Sequence, residues 1–102
     1  MSAAGGSLGR GLNLAALARS AGGEPCEVPG WPLEAQSLMV PTAVAGDRAR
    51  WLVVLEGEVI VDLPSGDFRV LKAGDGLAFP IGVEAVLRSV ARPAVLLWHA
   101  AA

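Results

Sequence analysis

Hydrophobic positions in this chain come in short runs cut by glycine and proline. From Glu24 onward Pro25, Pro29, Gly30, Pro32, Pro41, Pro64, Gly66, Gly74, Gly76, Pro80, Gly82 and Pro93 separate strand-sized segments rich in valine and leucine. That spacing predicts an all-β sandwich or barrel, with strands at Leu33–Val40, Trp51–Leu55, Glu58–Leu63, Phe68–Lys72, Gly76–Phe79, Ala85–Val90 and Ala94–His99. In Glu58–Leu63, Val59, Val61 and Leu63 alternate with Glu58, Ile60 and Asp62, the two-residue period of a strand with one face on a core. Pro64-Ser65-Gly66-Asp67 is turn chemistry that joins it to the next strand as a hairpin. Trp51–Leu55 and Ala94–Trp98 are apolar on both faces, so each needs two covers. A barrel interior supplies one, and a partner subunit is a candidate for the other.

Residues 1–23 read differently. Asn13 is placed to cap a helix over Leu14–Ala21, which Gly22-Gly23 would end. This stretch carries Arg10 and Arg19, no acid, and Ser2, Ser7 and Ser20. Such a composition is compatible with a transit peptide or with a loose glycine-rich end before a short helix. The expected organisation is that N-terminal segment with a helix at about 13–21, then a single domain over 24–102.

The composition excludes several roles. Hydrophobic residues are 53% of the 102 residues and charged ones 18%, too apolar for intrinsic disorder and apolar enough to suggest a further buried surface such as a homodimer interface. A net charge of −2 without a lysine or arginine cluster gives nucleic acid no electrostatic footing. No run approaches the roughly 20 apolar residues of a membrane span, and the expected location is the cytoplasm. A single cysteine, Cys26, excludes an internal disulfide and a cysteine-based zinc site, and a single histidine, His99, excludes a multi-histidine cage. Gly5–Gly11 and Gly74–Gly76 lack the strand-to-helix context of a phosphate loop, and no nucleophile elbow is present.

One stretch points further. Leu52-Val53-Val54-Leu55-Glu56-Gly57-Glu58-Val59 resembles the first motif of the cupin superfamily. Gly74, then five residues, then Pro80-Ile81-Gly82 resembles the second. The match covers about residues 33–99. It implies an antiparallel jelly-roll barrel, often a homodimer, with a metal in the cup held by three histidines and a glutamate. Carried over position by position, the motif-two histidine falls on Ala85 and the motif-one glutamate on Arg50. The motif-one histidines fall near Val44 and Gly46, or near Ala43 and Ala45, and a late asparagine position falls on Ser89. None of these side chains is a metal ligand of that set, and Arg50 is a permanent cation. The expectation is therefore a cupin-like barrel with no metal and no other cofactor.

By strand parity Arg50, Leu52 and Val54 face the cup, as do Ala85, Leu87 and Ser89 opposite. An apolar hollow with a guanidinium near its mouth suits a small acid, its carboxylate on Arg50 and its body on the aliphatic walls. The competing reading is that Arg50 extends to water. For proton transfer the candidates are His99, as histidine is the side-chain type that ordinarily titrates near neutrality, and Glu84, should the cup shield it. Both also read as surface groups. Cys26 reads as a small buried residue in a proline-flanked loop, and Trp51 as facing away from the cup. Three functions remain open. These are a non-catalytic binding or sensory module for a small acid or sugar-like ligand, a metal-independent isomerase or epimerase, and a structural homodimeric domain. A relocated metal site on His99, Asp75 or Glu84 is a lesser option.

Overall fold

The computed structural model describes residues 11–100, and for Ala100 the backbone only. Asn13 accepts a hydrogen bond at Oδ1 from the Ala16 N–H at 3.0 Å and starts helix α1, Leu14–Ser20. The helix ends one residue earlier than the sequence suggests, where Ala21 and the positive-φ Gly22 and Gly23 turn the chain.

Nine strands follow among the described residues: β1 (Cys26–Glu27), β2 (Glu34–Leu38), β3 (Thr42–Val44), β4 (Arg50–Glu56), β5 (Glu58–Asp62), β6 (Phe68–Lys72), β7 (Gly76–Phe79), β8 (Ala85–Ser89) and β9 (Ala94–Ala100). They make two antiparallel sheets, one ordered β1-β2-β9-β4-β7 and the other β3-β8-β5-β6. The fold is the expected all-β jelly roll with a short N-terminal helix.

The chain passes from one sheet to the other between β4 and β5. Gly57 makes that corner at φ +84°, and a Cβ there would lie 3.1 Å from Ala94 Cα, so only glycine fits without displacing β9. The expected hairpin follows: Leu63 and Gly66 N–H groups donate to Asp67 and Leu63 carbonyls at 2.9 and 3.0 Å.

Two elements were hidden in loops at the sequence level. β3 is only three residues long and follows Pro41, too short to show a period, and it forms by pairing with β8. Cys26 lies not in a loop but on the two-residue edge strand β1, opposite Ala35, and is half-buried rather than enclosed. Proline at 41 also ends β2 early, leaving Met39 and Val40 outside it and exposed.

The main core lies between the sheets. Leu38, Leu52, Val54, Val59, Val61, Leu87 and Leu96 are all 0% exposed within it. A second cluster lies outside the larger sheet, where α1 covers Ala35 and Val95, with Leu55 and Leu97 packed beside them. The helix thus supplies a second cover for β9 at Val95 and Leu97, and on β4 for Leu55. Trp51 is beyond its reach, points outward as expected, and is 47% exposed. On the outer face of the smaller sheet Arg88 donates to both Asp62 carboxylate oxygens, through Nε at 2.6 Å and Nη2 at 3.3 Å. That hydrogen bonding holds the Asp62 carboxyl below its ordinary range and raises Arg88.

Candidate functional site

A cavity of about 400 Å³ opens at one end of the space between the sheets. Three neighbouring strands of the larger sheet line it: β2 with Glu34 and Gln36, β9 with Trp98 and His99, β4 with Arg50. Thr42 and Val44 of β3 contribute from the smaller sheet, and Glu24 and Arg48 from loops.

Parity sets which side chains point in. On β2, Gln36 and Leu38 enter the interior while Ala35 meets α1, so Glu34 shares the inward face. Gln36 is 5% exposed yet hydrogen-bonded at both ends of its amide: its Oε1 accepts from Trp98 Nε1 at 2.9 Å, and its Nε2 donates to the Gly23 carbonyl at 3.2 Å. The indole is thereby fixed in the cavity wall, with Phe79 tilted against it at a centroid distance of 5.9 Å.

Arg50 is not satisfied in this way. Its Nη2 donates to Asp47 Oδ1 at 3.0 Å, and this hydrogen bond holds the Asp47 carboxyl below its ordinary value. Its Nε is buried and has no hydrogen-bond partner among the described residues. The side chain is 24% exposed and lines the cavity, with its Nη2 held by the exposed Asp47. A buried guanidinium N–H without an acceptor costs about 1–3 kcal/mol or more.

The other expected ligand-binding residues are placed differently. Leu52, Val54 and Leu87 are shut in the packed core. Ala85 is buried beside Val44, its cross-strand partner, and lines a second hollow with Asp62, Pro64 and Glu84. Ser89 is half-buried opposite Val59 and lines neither hollow. Of the two proton-transfer candidates, His99 is exposed and meets the first cavity at its rim, while exposed Glu84 lies on the second. They do not share a wall. Asp75 is engaged elsewhere, its Oδ2 accepting from the Lys72 N–H at 2.8 Å.

Glu34, Gln36 and Thr42 belong to no motif in the sequence, although the parity of Leu33–Val40 places the first two on one face. Thr42 carried none, because β3 itself was not legible.

No protein-family model matches the sequence, and no curated protein matches it. Solved structures do. A Neisseria meningitidis protein, NMB1881, matches with a TM-score of 0.68 at 18% identity, over 90% of this chain and 100% of its own. A cupin-2 domain containing protein from Shewanella frigidimarina matches at 0.61 and 16% identity, over 76% of this chain and 80% of its own. A DUF861 family protein from Thermotoga maritima matches at 0.58 and 22% identity, over 71% and 80%. The fold is that of the cupin superfamily.

The metal that this fold implies can be tested against the side chains at its expected place. The cupin topology does bring the carried-over positions together, with Val44 paired to Ala85 and Val44 sharing a cavity with Arg50. Val44 and Ala85 are each 4% exposed and offer no lone pair, and Arg50 brings a positive charge. These residues do not fit a metal ion. Among the described residues no group of three or more His, Cys, Asp or Glu side chains is placed to hold one elsewhere.

Proposed function

We propose that this cupin is a metal-free, non-catalytic module that binds a small organic acid in the cavity at the end of the barrel, with Arg50 as the anion anchor. The observation that carries this reading is the half-buried Arg50, whose guanidinium has one side-chain partner, Asp47, among the described residues, on the wall of a cavity of about 400 Å³. A carboxylate there accepts from a guanidinium donor in a partly desolvated site, where a charge-assisted bond is strongest. Trp98 and Val44 supply apolar wall for the body of the ligand, and Gln36 holds Trp98 in position. Leu52, Val54 and Leu87 serve in this reading as the packed floor that stops a ligand from entering deeper.

The test is calorimetric titration of the full chain with pentanoate. Saturable binding that disappears in Arg50→Met supports the proposal. Equal binding by Arg50→Met, or none by the parent protein, would overturn it.

A metal-independent isomerase is a second reading, favoured by His99 on the rim of the same cavity. It requires that turnover, once a substrate is found, be lost in His99→Ala. The expected homodimer and cytoplasmic location belong to this proposal. The exposed Trp51 face is the surface such a dimer would cover, and sedimentation of the parent against Trp51→Glu tests it. Among the described residues no helix is long and apolar enough to cross a membrane.

A further inference from the structure

The charges around the cavity are mixed, and their order across the sheet is specific. Glu34 on β2 faces Trp98 on β9 in the pairing register, and Trp98 in turn faces Leu52 on β4. Arg50 lies two residues along β4 from Leu52, on the same inward face. Glu34 and Arg50 therefore stand diagonally across the Trp98 position. From strand spacing and rise their Cα atoms are roughly 12 Å apart. Both side chains are long enough to reach into the space between, which leaves room for a body of several carbon atoms over the indole.

Glu34 makes no ion pair among the described residues, and neither does Glu24, which also lines the cavity. Glu34 is half-buried and faces another carboxylate, Glu27, across the β1–β2 ladder. Like charges directly opposite on adjacent strands are destabilising, so a cation near Glu34 relieves a repulsion built into the sheet. At the other end Arg48 joins Arg50 on the wall. A dicarboxylate with its second charge on the Glu34 side would meet Glu34 and Glu24 and be repelled.

We infer that the ligand is a zwitterion, an amino acid whose carboxylate and ammonium are separated by a short carbon chain, with the carboxylate on Arg50 and the ammonium between Glu34 and the Trp98 ring. The ammonium gains a carboxylate partner and an aromatic face in a partly desolvated site. This rests on the anion-anchor reading above and adds to it the cationic end of the ligand.

The probes are pentanoate and 5-aminopentanoate, which differ only in the terminal group, titrated calorimetrically into the full chain. The amino compound binds about tenfold more tightly than pentanoate. In Glu34→Gln that advantage disappears while pentanoate binding is retained. Glu24→Gln, in a loop and exposed, gives a smaller loss and serves where Glu34→Gln fails to show the parent's circular dichroism. Equal binding of the two probes, or an advantage that survives in both variants, overturns the zwitterion inference and leaves the anion anchor standing. Failure of both probes to bind overturns the two readings together.

Discussion

Trp98 and Gln36 hold each other across neighbouring strands, the indole N–H donating to the amide oxygen at 2.9 Å inside the barrel. They are diagonal neighbours in the register, since Trp98 faces Glu34 and Gln36 faces Leu96. The bond lets a polar side chain sit in an apolar interior, because both ends of the Gln36 amide are used. Replacing the amide with an aliphatic group of similar size leaves the indole donor stranded. Gln36→Leu is expected to lose about 1–3 kcal/mol, read as a lower urea midpoint with an unchanged m-value. An unchanged midpoint would show that the bond carries no net stability.

Gly46 and Gly82 press two loops together at the cavity end of the barrel. The Gly82 N–H donates to the Gly46 carbonyl at 2.9 Å, and a Cβ on Gly46 would stand 2.9 Å from the Gly82 carbonyl carbon. Both partners at that contact are backbone and have no rotamer with which to yield. Gly46→Ala is expected to destabilise by about 1–3 kcal/mol in thermal or urea unfolding, as overpacking does elsewhere.

Ala91, in the turn from β8 to β9, has φ +66°. The left-handed region costs a residue with a Cβ roughly 1–2 kcal/mol, partly offset by the greater flexibility that glycine brings to the unfolded chain. The net expectation for Ala91→Gly is stabilisation by about 0.5–1 kcal/mol, visible as a raised Tm.

Asp47 titrates below its ordinary value of 3.8, chiefly because Arg50 donates a hydrogen bond to it. A carboxyl depressed in the folded state adds stability that is fully present above the unfolded-state pKa and is lost as pH falls through the folded one. The pair should therefore give its full, small stabilisation near neutrality and lose it in acid, below about pH 4. Asp47 is 64% exposed, so the effect on unfolding is small and the cleaner measurement is its carboxyl resonance. In Arg50→Met the midpoint should move up toward 3.8. No movement would show that Arg50 does not hold Asp47 in solution.

Local sequence determined most of the architecture. The alternation of Val59 and Val61 with charged neighbours, the turn at Pro64–Asp67 and the cap at Asn13 are short-range signals, and each marks the element found there. Strand parity also sent Arg50, Leu52 and Val54 to one face and Trp51 to the other. A period of two says which face a side chain takes, but not how much space lies above that face. Tertiary packing decided that Leu52, Val54 and Leu87 fill the interior while Arg50 keeps open space beside it. The same packing brought β2, β9 and β4 side by side. Only that order sets Glu34, Trp98 and Arg50 around one cavity, because these residues are far apart along the chain and meet only through pairing between distant strands.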